Sequence, residues 1–311
     1  SKNPDGKKTG IFTVHRARNH GSCLQAYALQ TKLESLGANV EIVDYRPAFV
    51  ERDFGLFVPS LRSNYPKGMV GLLSYCVSMV LHLPFRAVRE WRFKQFRQKH
   101  YHLTDLDYKT EDQLHKTHLD KEIYIFGSDQ IWSPHITNGV HAPYYGNSVE
   151  KDAVCCSYAA SIGSKKLSVD DESKIKTLLK RLDVISVREE FGKEVLLPLT
   201  EKEIFTHLDP AFLLTTEEWE ALCGKPAMDG SYILVYALVI DEQLIEVARQ
   251  LANKNNMPIV FFDIKNRYGT KAISRYSADP IQFISYIKGA AYVVTNSFHG
   301  TAFSLIFKKQ F

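Results

Sequence analysis

Paired cysteines, a nucleotide-binding glycine motif, internal repeats and a surplus of one charge are all missing from this chain of 311 residues. It has five cysteines, Cys23, Cys76, Cys155, Cys156 and Cys223. An odd number with no CxxC spacing is a poor disulfide framework and a poor zinc site. Cys155 and Cys156 are neighbours in a strand-like run, so their side chains point to opposite faces. All five therefore read as reduced thiols, which points to a cytoplasmic protein. The opening SKNPDGKKTG is polar and does not read as a secretory signal. No GxGxxG or Walker pattern occurs. His15, His20, His299 and the aspartates are too scattered for a metal site, and His100 and His102 form only a loop pair. No metal and no cofactor is expected. The net charge of +4 is spread along the chain, which argues against a nucleic-acid partner and is compatible with a small anionic substrate.

What is present is ordinary for a packed protein: 45% apolar and 24% charged residues. The length exceeds one typical domain, so two lobes are expected. One apolar stretch, Met69 to Phe85 (MVGLLSYCVSMVLHLPF), is broken by Ser74, Ser78, His82 and Pro84, and is short for a membrane span. Arg86, Arg89, Arg92, Lys94, Arg97 and Lys99 follow, interleaved with Trp91, Phe93 and Phe96. This reads as a buried helix followed by an amphipathic one. The alternative is peripheral membrane contact through residues 69–99, which would make the protein membrane-associated.

Strand and helix signals alternate. Gly10–Val14, a helix over Cys23–Leu36 and Asn39–Asp44 form a βαβ unit, hence parallel sheet. Further strands are expected at Glu122–Phe126, Val154–Tyr158 and Val184–Val187, with a helix at Asp170–Arg181 between the last two. A second series follows: Tyr232–Val239, a helix at Glu242–Lys254, Pro258–Phe262, a helix at Pro280–Lys288, Ala291–Thr295, and a helix opening at Thr301. The expectation is α/β architecture with two Rossmann-like doubly wound lobes facing a cleft. Residues 1–190 would form the first lobe and 191–311 the second. Phe311 follows a helix that should lead into another strand, so the C-terminal lobe reads as incomplete.

Ligands of open α/β sheets gather at the carboxyl ends of strands, and four polar clusters fall there. Asn19-His20-Gly21-Ser22 opens a helix, where Gly21 permits close approach of a hydroxyl-rich or anionic ligand; a simple N-cap is the plainer reading. Gly127-Ser128-Asp129-Gln130-Ile131-Trp132 offers a carboxylate base, an amide and an indole that could stack on a sugar. It equally suits an Asx turn with Trp132 in the core. Arg188, in Ser186-Val187-Arg188-Glu189, has the planar fork that takes a carboxylate or phosphate, or else pairs with Glu189 or Glu190. Thr295-Asn296-Ser297-Phe298-His299-Gly300-Thr301 joins hydroxyls, an amide and a titratable imidazole at a helix start, where phosphate is favoured.

Taken together, these segments resemble the polysaccharide pyruvyl transferase family. The match is carried by NHGSCLQAYALQ (19–30), VDY (43–45), GSDQIW (127–132), SYAASIG (157–163), SVREEFG (186–192), DPAFLL (209–214) and TNSFHGTAFSLIF (295–307). The resemblance implies a two-lobed GT-B-like fold. It also implies transfer of the enolpyruvyl group of phosphoenolpyruvate, as donor substrate, onto a sugar of a polysaccharide or lipid-linked glycan precursor, forming a ketal and releasing phosphate. By the same resemblance, Arg188 and His299 grip the donor in one inter-lobe crevice, with Ser297, Gly300 and Thr301 around the phosphate and Asn296 a further substrate-binding residue. Asn19, Gly21, Ser128, Gln130 and Trp132 hold the acceptor, and Asp129 is the base. Relatives often carry an acidic residue where Asn296 stands, so no carboxylate role is expected there. The alternatives are a GT-B nucleotide-sugar glycosyltransferase and a non-catalytic glycan-binding relative.

Overall fold

The computed structural model describes residues 6–49, 67–239, 242–264, 266–269 and 271–311. Most of the Tyr45–Pro66 stretch therefore lies outside the described residues. Those described divide into two compact units. The first draws on described residues within 6–17, 22–49 and 100–213, and the second on those within 18–21, 67–99 and 214–311.

The first unit is built on a five-stranded sheet of order β3-β2-β1-β4-β5, every pair parallel. Its strands are β1 (Lys8–Phe12), β2 (Asn39–Tyr45), β3 (Leu103–Tyr108), β4 (Ile123–Phe126) and β5 (Val154–Ser157). Helix α1 (His20–Ser35) makes the crossover from β1 to β2. It starts three residues earlier than the apolar pattern suggests, because the Asn19 carboxamide oxygen accepts the Gly21 amide at 2.9 Å and opens the helix there. Strand β3 was not expected; LTDLDY carries alternating acids and is half-exposed, so it lacks the apolar signature of the inner strands. Beyond β5, β6 (Ile185–Val187) and β7 (Ile204–Thr206) form a parallel pair. Isolated bridges Cys156–Val184 and Ala160–Val187 tie this pair to the β5 segment. Residues 191–213 thus pack with the first unit. The core beneath gathers Phe12, Tyr124, Phe126, Trp132, Tyr144 and Tyr145.

The second unit repeats the pattern. Its sheet has the order β10-β9-β8-β11, again parallel throughout. The strands are β8 (Ile233–Tyr236), β9 (Ile259–Phe261), β10 (Ile273–Ser274) and β11 (Tyr292–Thr295). The flanking helices include Thr216–Cys223, Glu242–Asn255, Pro280–Gly289 and Phe298–Ile306. In each sheet the chain reverses direction of growth at one place, between β1 and β4 and between β8 and β11. Such a reversal leaves a crevice at the carboxyl ends of the two strands, where ligands of doubly wound sheets bind.

The stretch from Met69 departs from expectation. One helix runs unbroken from Met69 to His100 through Pro84. Its apolar first half is not a buried core helix, since only 17% of its most apolar eighteen-residue stretch is covered. The second half is tied down in the second unit. Arg89 donates to the carbonyls of Tyr276 and Arg18, and Arg92 to the carbonyl of Ser277 and the side chain of Gln282.

All five cysteines are free. Burial pushes the Cys155 thiol up to about 12, so this sulfur is an inert core group. Among the described residues, no group of three His, Cys, Asp or Glu side chains is placed to hold a metal ion.

Candidate active site

In the first unit the reversal point carries Thr13 after β1 and the turn 127–130 after β4. Gly127 adopts φ +132°, and a Cβ there would lie 2.2 Å from the Tyr158 carbonyl oxygen, so only glycine fits. The Gly127–Ser128 peptide is cis, and Asp129 takes φ +67°. Gln25 of α1 fixes this turn: its carboxamide oxygen accepts the Ser128 amide at 3.2 Å, and its NH2 donates to the Thr13 hydroxyl at 2.9 Å. The Asp129 carboxylate accepts from the Ser22 hydroxyl and, at 2.9 Å, from the Gln130 amide. It is therefore oriented from two sides, and it remains partly accessible together with Gln130.

Ser128 and Trp132 do not face a ligand. The Ser128 hydroxyl donates to the Ala159 carbonyl at 2.6 Å and lies 3.2 Å from an Asp209 carboxylate oxygen, fully buried. Trp132 is 1% exposed. It is stacked on Tyr145 at 4.9 Å and donates its indole N–H to the Tyr144 carbonyl at 3.0 Å. The expected sugar platform is a core residue, because the residues after the turn lead the chain inward to the Tyr144–Tyr145 pair.

Arg188, at the end of β6, has a side chain only 7% exposed. Its Nε donates to Glu189 at 2.8 Å and its Nη1 to Asp209 at 3.1 Å. Burial alone would lower its pKa; the charges of Asp209, Asp129 and Glu189 outweigh that and raise it, so the guanidinium is firmly cationic. Asp209 thus holds Ser128 and Arg188 through one carboxylate. No role had been expected for Asp209 or Gln25, although both lie in the matched segments DPAFLL and NHGSCLQ.

The second unit holds the other cluster at its own reversal point. The Thr295 hydroxyl, closing β11, donates to the Tyr236 carbonyl at the end of β8 (2.6 Å). Ser297 caps the following helix; its hydroxyl accepts the Gly300 amide at 3.4 Å and its carbonyl accepts the Thr301 amide at 3.0 Å. The helix begins at Phe298, earlier than the expected Thr301, which places His299 and Gly300 in its first turn. Asn296 is an internal clamp, accepting from the Leu238 amide at 3.0 Å and donating to the Val239 carbonyl at 2.5 Å. His299 is 6% exposed. Its ring lies flush on Gly21, where a Cβ would come within 2.1 Å of the imidazole Cγ. Glycine is required at 21 because the histidine occupies the side-chain space. Two segments 278 positions apart in sequence meet there, both within the second unit.

Next to Gly21, His20 is fully buried among Phe93, Tyr236, Phe262 and Phe283, stacked on the last at 4.8 Å. Its Nε2 lies 2.9 Å from the Ala278 carbonyl. Burial first, and then the charge of Arg89, drive its pKa well below the usual histidine value, so it is held neutral. A third constellation, His15, Arg16 and Asp44, joins the ends of β1 and β2. Burial would raise the Asp44 carboxyl, but the bonds from His15 and Arg16 prevail and hold it well below the carboxylate range.

The solved structures similar to this chain include UDP-GlcNAc 2-epimerase from Methanocaldococcus jannaschii, at 12% identity, with 97% of this chain and 82% of that chain covered and a TM-score of 0.46. The same enzyme in complex with UDP-GlcNAc and UDP matches at 13% identity, with the same coverage and a TM-score of 0.49. No curated protein matches the chain. The model of the polysaccharide pyruvyl transferase family matches residues 19–311, nearly the whole length. The chain therefore belongs to the polysaccharide pyruvyl transferase family and is a transferase enzyme.

Proposed function

We propose that this enzyme moves the enolpyruvyl group of phosphoenolpyruvate onto two hydroxyls of a sugar in a polysaccharide or lipid-linked glycan precursor. Protonation of the donor's methylene carbon makes C2 electrophilic, and one sugar hydroxyl oxygen bonds to it. The C2–O bond to phosphate then breaks, and the second hydroxyl closes the cyclic ketal. Of the two hydroxyl protons, one is matched by the new methyl hydrogen and the other leaves on phosphate, so the reaction balances without an oxidant, reductant or cofactor.

The observation that carries this reading is His299 in the first turn of a helix at a strand-order reversal, seated on Gly21. An imidazole there can deliver the proton, while the positive end of the helix draws phosphate. Arg188, kept cationic by Asp209 and Glu189, suits the donor carboxylate. Asp129 is the candidate base for a sugar hydroxyl, with Gln130 and Asn19 for the acceptor. Five free cysteines fit a reducing cytoplasm.

The test is phosphate release from phosphoenolpyruvate across a panel of sugar acceptors, followed by product mass. Release that requires an acceptor, with a mass gain of one pyruvyl ketal, is expected. His299→Ala should cut turnover by about 10²–10⁴-fold. Arg188→Lys, which keeps the charge beside Asp209, should weaken the donor's KM by about tenfold through loss of the planar fork. Full turnover in folded His299→Ala would defeat the assignment. Thermal stabilisation by a nucleotide sugar and none by phosphoenolpyruvate would move the enzyme to nucleotide-sugar chemistry.

A further inference from the structure

The helix Met69–His100 carries no Asp, Glu, Lys or Arg between Met69 and Phe85. Its first half is nonetheless open to solvent. Met69 is 83% exposed, and Leu73, Val77, Val80, Leu81 and Phe85 are each at least half exposed. At about 100° per residue, the exposed apolar side chains from Met69 to Val88 span roughly 220° of the helix circumference. The buried positions Gly71, Met79 and Arg86 occupy the remaining side, which is already covered. An arc this wide exceeds the stripe of roughly 100° that seats a helix in a protein groove. It needs a medium that wraps.

The same face changes character along its length. After Val88 comes Trp91, 60% exposed, and then the exposed Lys94 and Lys99 on the same arc; Lys67 is exposed just before the helix. An apolar arc flanked by an exposed indole and by lysines long enough to reach outward supplies what a peripheral helix sets against acyl chains, the interface and anionic headgroups. Gly71, Met79 and Arg86 on the covered side, with Arg89 and Arg92 anchored in the second unit, back the helix with protein rather than surrounding it with lipid along its length. We infer that Met69–Trp91 lies in the plane of a membrane, its exposed arc sunk to the acyl boundary and Lys94 and Lys99 on anionic headgroups. The enzyme is thereby held at a lipid surface. This does not depend on the donor chemistry, and its test reads no turnover.

The full chain is sedimented with vesicles of phosphatidylcholine, alone and mixed with phosphatidylglycerol. Binding to both, stronger with phosphatidylglycerol, is expected. Val77→Glu with Leu81→Glu should weaken binding by about tenfold or more. Lys94→Glu with Lys99→Glu should remove only the preference for anionic lipid. Both pairs are exposed, so unchanged thermal unfolding is the control. An arm without charge changes uses brominated lipid, which should quench the indole emission of the wild type but not of Trp91→Phe, since Trp132 and Trp219 are buried. Failure to sediment, undiminished binding by the double glutamate variant, or absence of quenching overturns the inference. So does a dimer that the glutamates dissociate in a chain that ignores vesicles, which would assign the face to a second copy.

Discussion

The turn at 127–132 and the turn at 295–301 look alike in sequence, yet they spend their polar groups differently. Each leaves a parallel strand at a reversal of strand order, and each is rich in hydroxyls and amides. In the first, Ser128 bonds the Ala159 carbonyl, Asp129 is gripped by Ser22 and the Gln130 amide, and Trp132 sinks onto Tyr145. In the second, Thr295, Asn296 and Ser297 likewise serve backbone groups. His299 lays its ring on Gly21 and edge-on to Phe298 at 5.1 Å. Hydroxyls and amides at a strand end mostly build the turn, because buried polar groups must be satisfied. The proposed proton transfer rests on the imidazole seated on Gly21.

The sharpest way to break this comparison is Gly21→Ala. The methyl group would overlap the imidazole and force His299 to move, so turnover should fall by about 10²-fold although no reacting group is removed. Steady-state kinetics on a variant shown to be folded by its circular-dichroism spectrum checks this; undiminished turnover would mean that the apposition has no catalytic meaning. Trp132 gives an effect on stability rather than on turnover. Trp132→Ala should cost about 3–5 kcal/mol of stability by urea unfolding, whereas Trp132→Phe should leave the acceptor KM unchanged. A selective rise in that KM would restore the sugar-stacking role. The smallest effect concerns His20. Its folded pKa lies below the usual 6.5, so the unfolded chain binds more protons once the pH drops under that value. Its contribution is complete above about pH 6.5 and declines as the pH falls, by at most about 1.4 kcal/mol per pH unit. Urea titrations from pH 7 to 5 should show this slope in the wild type and its loss in His20→Gln.

Much of the fold was legible in the sequence. The alternation of apolar strands with helical patterns foretold α/β architecture with parallel sheets, and the strands at 123–126, 154–157, 259–261 and 292–295 lie where the pattern put them. What escaped was mostly non-local. The partner of Trp132 is Tyr145, at the end of a short 3-10 turn, and one partner of Arg188 is Asp209, twenty-one positions on. Neither is visible to a reading of strand ends one at a time. Pro84 was taken as an interruption, but the helix passes through it, since anchoring of the following half by Arg89 and Arg92 overrides the local penalty. The helix start at Phe298 was missed because Ser297 reads as one more turn hydroxyl until its bond to Gly300 is known.

The carboxylate of Asp209 has a consequence for any survey of variants. It steadies the β4 exit through Ser128 and the β6 exit through Arg188, so one side chain sets the alignment of two chain segments. Replacing it should lower turnover by loosening both exits, although the carboxylate is sealed from solvent and committed to its neighbours. A screen scored on turnover alone would count it among the chemical groups. A screen that also recorded folding would file it with the framework.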